Sequence, residues 1–246
     1  MHLARASSLF VLTAPLLACA ASAESGAAPL EGEPAAARVV VEEVLTSPPE
    51  GGDGPDTVRL AREDESGRAP IEGAAIGGVA FLGGSLVLRP DRTLEMVRPG
   101  GLGVGSVIDR EVVVAPIVSA DGEHAAWTAE HGPELVLVAI DREGGRHEAA
   151  QGLGSIGAIA FDPATHGARR RVAFVGARNG GIAGVWATHL DGTGLSCLTN
   201  CELRAGQPLG DTWIPLPIAP LHFEGDTLIA IDEREARRFV LPETLR

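Results

Sequence analysis

The sequence predicts an all-β chain assembled from repeated four-stranded antiparallel units. Three observations carry that reading. The apolar runs are short and are broken by Gly, Pro and Asp-Gly turn signals. Gly (32) and Pro (17) make up a fifth of the 246 residues, and they cost about 1 and about 3 kcal/mol in helix interiors. A strand-and-turn pattern also returns in the second half: Trp127 and Phe174 are 47 residues apart, Asp141 and Asp191 are 50 apart. An apolar share of 45% suits a packed globular protein and excludes a disordered one.

Residues 39–45 (Val-Val-Val-Glu-Glu-Val-Leu) read as a strand, and a Pro/Gly loop follows over 46–56. Residues 57–62 alternate apolar and polar side chains and give a second strand, while the polar stretch 63–71 reads as a surface loop. Runs at 79–82, 85–88 and 93–97 are separated by Gly83-Gly84 and by Pro90-Asp91-Arg92. Both breaks are hairpin signals, so these runs form an antiparallel meander. Near the carboxyl end, 218–221 and 227–231 flank Glu224-Gly225-Asp226, a further hairpin. The strand at 39–45 is expected to complete the last unit, closing the array without an exposed edge.

The repeat is clearest between residues 113 and 199. Ser119-Ala120-Asp121-Gly122 turns into the strand His124-Ala125-Ala126-Trp127-Thr128, and a second strand at 135–140 ends in a turn from Asp141 to Gly145. The plan returns with Ile159-Ala160-Phe161-Asp162-Pro163, the strand Arg171-Val172-Ala173-Phe174-Val175, the turn Arg178-Asn179-Gly180-Gly181, and a strand from Val185 to Leu190. It ends in Asp191-Gly192-Thr193-Gly194 and Leu195-Ser196-Cys197-Leu198-Thr199. A four-stranded unit at this period is the mark of a β-propeller blade. Asp-Gly supplies the positive φ that a tight hairpin needs. Trp127, Phe174 and Trp186 are expected to fill the layers between blades.

Ser119-Ala120-Asp121-Gly122 with Ala126-Trp127, and Val185-Trp186 with Asp191-Gly192-Thr193-Gly194 and Leu198-Thr199-Asn200, resemble the WD-like repeat of TolB and related periplasmic proteins. The resemblance covers about 112–200 well and the flanking hairpins loosely. It implies a β-propeller-like array over residues 39–246 and a scaffolding role in the bacterial cell envelope. Propellers of that family commonly have six blades; the chain from 39 onward holds four or five units at the repeat period, fewer than a six-bladed ring needs.

Residues 1–23 follow the three-part plan of a secretory signal peptide: Arg5, the apolar stretch 6–17, then small residues. Ala21-Ser22-Ala23 offers one cleavage site. Leu16-Leu17-Ala18-Cys19 resembles the lipobox of bacterial lipoproteins, which implies lipidation of Cys19 and, with Ala20 and not Asp beside it, the outer membrane. Residues 24–38 are Ala-, Gly-, Pro- and Glu-rich and read as a flexible tether. No later stretch approaches the roughly 18 apolar residues of a membrane-spanning helix. In an oxidising compartment Cys197 and Cys201 are expected to pair; two free thiols are the alternative.

No chemical motif survives its context. A net charge of −13 argues against nucleic acid. Gly152-Leu153-Gly154-Ser155-Ile156-Gly157 fits a dinucleotide fingerprint but precedes no helix, and reads as a loop between blades. His147-Glu148 lacks the second His of a zinc helix, and His124, His131, His166, His189 and His222 are scattered. Arg169-Arg170-Arg171 reads as a solvated loop. No catalytic, cofactor or metal residue is assigned. The expected function is a non-enzymatic, exported interaction module that binds a protein or peptide of the cell envelope and touches the membrane only through a lipid anchor. The alternative is a carbohydrate-binding or hydrolytic propeller that works through its central funnel.

Overall fold

The chain supplies strand formers in runs too short for helices, and its regular structure is accordingly β. A computed structural model describes residues 37–46, 56–98, 105–207, 213–233 and 235–246. The expected signal segment 1–23, Cys19 and residues 24–36 of the expected tether lie outside the described residues. Seventeen strands and two short 3-10 turns are described.

The strands form consecutive antiparallel sheets. β1 (Arg38–Thr46), β2 (Thr57–Asp64) and β3 (Gly67–Ala75) make the first. β4 (Gly77–Phe81), β5 (Gly84–Leu88), β6 (Leu94–Val97) and β7 (Ser106–Asp109) make the second. A seven-stranded sheet follows from β8 (Val112–Val118), β9 (His124–His131), β10 (Glu134–Asp141), β11 (Arg146–Phe161), β12 (Arg171–Arg178), β13 (Gly184–His189) and β14 (Ser196–Cys197). β15 (His222–Glu224), β16 (Thr227–Ile231) and β17 (Ala236–Val240) close the series.

β11 explains why one sheet has seven strands. Its residues 146–153 pair with β10, and its residues 153–161 pair with β12. One long strand is thus the outer strand of one unit and the inner strand of the next. The sheet divides into a third unit (β8, β9, β10 and the first part of β11) and a fourth (the rest of β11, β12, β13, β14). Inner strands lie side by side: β4 against β8, β8 against β11, β11 against β15. That outer-to-inner transfer is the connectivity of propeller blades, and the fold is an all-β, propeller-like array.

Apolar layers fill the space between successive units. Val58, Leu60, Ile71 and Val87 join the first two sheets. Leu86, Leu88 and Leu94 meet Trp127, Val136 and Val138 at the next junction. Leu137 and Leu153 meet Phe174 and Trp186, and Val185 and Ala187 meet Phe223, Leu228 and Leu241. Period-2 alternation makes this possible: both faces of a central unit are apolar, each against a different neighbour. Trp127 donates from Nε1 to Asp109 at 2.7 Å, and Trp186 to the Gly176 carbonyl at 2.9 Å, so neither buried indole N–H is left unpaired.

Several sequence expectations are corrected. The stretch 63–71 is not a loop: β2 runs to Asp64, β3 starts at Gly67, and Ile71 is buried. Residues 39–45 do not complete the last sheet. β1 pairs along β2 from Arg38↔Glu63 to Thr46↔Thr57, because the hairpin partner is near in sequence and its Val58 and Leu60 face the same core. Residues 152–157 are no loop between blades but part of β11.

Candidate functional site

The two ends of the strand array differ. At one end, called here the turn end, lie the turns β4–β5, β8–β9, β10–β11, β13–β14 and β15–β16 and the loop 162–170. The Asp-Gly turns of the repeat are here, whereas the turn from Arg178 to Gly181 lies at the opposite end. Asp121 and Gly122 form the β8–β9 turn, Gly122 with φ +70. Asp191, Gly192 and Gly194 follow β13, and a Cβ on Gly194 would come within 2.9 Å of Leu245 Cδ2.

Charged side chains at this end are engaged with each other. Ser119 Oγ donates to Asp121 Oδ1 at 2.6 Å, and the Glu123 amide donates to the same oxygen at 3.1 Å. Arg170, fully buried, reaches back from the fourth unit to the third. Its Nη1 donates to Asp121 Oδ1 at 3.0 Å, its Nη2 bonds Asp121 Oδ2, and Glu123 lies 3.7 Å away. Arg171, next along an alternating strand, faces the other way. Its Nε donates to the buried Asp162 at 2.6 Å, its Nη1 to Asp226 at 2.6 Å, and its Nη2 to the Gly225 carbonyl at 2.9 Å. Two adjacent arginines therefore clasp the units on either side. This corrects the reading of Arg169-Arg170-Arg171 as a solvated run: Arg170 and Arg171 are buried. No local motif could reveal it, because the partners lie 49 and 55 residues away.

The electrostatics follow from these contacts. Partial burial works against ionised Asp121, but the bonds from Arg170, Ser119 and the Glu123 amide outweigh it and hold its carboxyl well below the usual range. Burial also opposes the charge on Arg171, yet Asp226 and Asp162 keep it protonated. His124 differs in that its whole ring is unpartnered, while Arg170 leaves only Nε unpaired. It is buried, and neither ring nitrogen has a hydrogen-bond partner. Burial, with the nearby charge of Arg170, lowers its pKa against the opposing pull of Asp121, Glu123 and Asp141. Of the other histidines, His189 is buried, with Nδ1 2.8 Å from the Arg169 carbonyl oxygen.

Asp121, Glu123 and His166 each bring a possible metal-ligand atom within 4.8 Å of the others. Sequence reasoning missed this grouping, because His166 arrives from the next unit's loop. The donor set does not suit a cation, since the Arg170 guanidinium already occupies the space between the two carboxylates. A divalent ion would have to displace a buried positive charge. The arrangement does the work of an ion-pair joint.

The opposite end is different in kind. A groove of about 540 Å3 opens there between the first three sheets, within the range of roughly 300–1,000 Å3 that ligand pockets span. Its walls are Ile76, Leu88, Pro90, Val112, Val113 and Ala115; Thr57 and Arg92 add the polar part. Val113 is 38% exposed. Arg92 is steadied at the rim by Glu130 at 2.8 Å and by the Glu111 carbonyl at 3.1 Å. The sequence had singled out neither Val113 nor Arg92 as a site residue; a valine triplet opening an inner strand was the available signal.

Cys197 in β14 is joined to Cys201 in the following turn, with Cα atoms 5.8 Å apart.

No protein-family model and no curated protein matches the chain. Among solved structures, the chain is similar to one in the crystal structure of a nidogen/laminin complex. Identity there is 13%, coverage is 84% of this chain and 90% of that one, and the TM-score is 0.41. It is also similar to TolB from Acinetobacter baumannii at 12% identity, covering 85% of this chain and 64% of that one, with a TM-score of 0.28. Both scores are low, so the propeller-like fold rests on the strand pairing and the outer-to-inner transfer in β11.

Proposed function

We propose that the protein is a non-catalytic interaction module that receives a protein or peptide segment in the groove-end cleft. The observation that carries this is the contrast in side-chain use. Asp121, Glu123 and His166 are engaged by the buried Arg170, and Asp162 by the buried Arg171, whereas the groove at the opposite end is lined mainly by apolar side chains with Arg92 at its rim. Apolar walls with a few fixed polar groups suit recognition of an apolar side chain presented by a partner. Substitution Val113→Glu should abolish partner capture by crosslinking in the envelope while leaving the fold intact; undiminished capture would contradict the reading. The alternative, hydrolysis or carbohydrate binding through Asp121, Glu123 and His166, would require those groups to be free of Arg170.

We further propose export and anchoring at the outer membrane through lipidated Cys19, with residues 24–38 as the tether. The short apolar segment before Cys19 and the joined Cys197–Cys201 pair support an oxidising destination. Substitution Cys19→Ala should move the protein from the membrane to the soluble periplasmic fraction. Unchanged partitioning would remove the anchor from the account.

A further inference from the structure

We propose that copies of this chain associate head to tail, with β17 of one copy pairing along β1 of the next.

The argument starts from what each end of the array lacks. β3 passes directly into β4, as an outer strand passes into the next inner strand, so β1, β2 and β3 hold the three outer places of a blade, and no described residue fills its innermost place. β15 lies beside the inner strand β11, so β15, β16 and β17 hold the three inner places, and no described residue fills the outermost. Among the described residues, β1 pairs only with β2 and β17 only with β16, and no apolar layer joins the last sheet to the first. Each sheet therefore ends in a strand whose outer backbone groups face no other strand, a template for pairing.

Both edges also carry exposed apolar side chains. Val41 and Val44 on β1 are 57% and 54% exposed, and Val240 on β17 is 66% exposed.

Charge selects the pairing. β1 carries Glu42 and Glu43 in succession, and β17 carries Arg237 and Arg238. Each has an ion-pair partner in its own sheet, yet Glu43 and Arg238 stay more than half exposed. A symmetric β1–β1 contact would set the glutamates of two copies against each other, and β17–β17 would do the same with arginines. Like charges across a strand pair are destabilising and opposite charges favourable. The unlike edges fit, and an unlike contact is heterologous, so it propagates from copy to copy or closes into a ring.

The test is sedimentation velocity on the full mature chain from micromolar to millimolar concentration. The wild type should grow in mass with concentration. The pair Val41→Lys and Val44→Lys in one variant, and Val240→Lys in another, should each weaken association at least tenfold. Mixed in equal amounts, the two variants should form a dimer and nothing larger, because each keeps one good edge. A wild type that stays monomeric throughout would overturn the proposal. So would a loss of association in only one variant, the mark of a symmetric contact, or a mixture that stays monomeric. Circular dichroism of each variant confirms that the fold is kept.

Discussion

The turn end and the groove end are built from the same strands, yet they use their side chains in opposite ways. At the turn end, charge is buried and matched: Arg170 with Asp121, Arg171 with Asp162 and Asp226. At the groove end, apolar surface from Ile76, Val113 and Ala115 is left open. Buried ion pairs are a poor source of net stability, but they penalise wrong neighbours, because a misplaced unit leaves a buried charge unpaired. The difference teaches a division of labour. One end joins neighbouring units through charge, and the other is the end proposed to bind.

The comparison can be broken most severely at the clasp. Arg171→Met leaves Asp162 buried without its partner, and such losses cost about 3–5 kcal/mol. Denaturant unfolding should show that loss, whereas partner capture by the folded fraction should persist. A variant as stable as the wild type would mean that the clasp holds nothing. Asp121→Asn should cost less, about 2 kcal/mol, since Asp121 is partly exposed and Glu123 remains near Arg170.

A smaller effect sharpens the contrast between two units of the turn end. His124 holds in the third unit the strand-opening place that Arg171 holds in the fourth, but it is buried without a polar partner. Its pKa is lowered in the folded state, so the unfolded chain takes up the proton first as pH falls. Stability from the neutral ring is present above the ordinary His value and is lost as pH drops below about 6.5, at no more than about 1.4 kcal/mol per pH unit for this group. His124→Phe should flatten that slope in denaturation at successive pH values; an unchanged slope would place the titration elsewhere. Smallest in stability is Val113→Glu at the groove, where a half-exposed position should cost within about 0.5 kcal/mol while binding is lost.

Much of the array is legible in the sequence, and the reasons can be located. Asp121-Gly122 and Asp191-Gly192 announce turns because positive φ requires particular residues, and Trp127 and Phe174 mark core strands because their alternation is local. What escapes is long-range or locally contradictory. Residues 63–71 are polar, carry Pro70 and read as a loop, yet from Gly67 the chain pairs along β2 as β3 because Ile71 and Ala75 find a core there. The direction each arginine faces depends on loops 49 and 55 residues away. The groove draws its walls from three sheets, and its residues are individually ordinary.

The central claim is that binding belongs to the groove end and not to the charged end. A photo-reactive amino acid placed at Val113, and in a second strain at the exposed turn-end residue Glu143, tests it directly in intact envelopes. The account predicts a discrete covalent adduct from position 113 and none from position 143. An adduct from position 143 alone, or none from either, would contradict it.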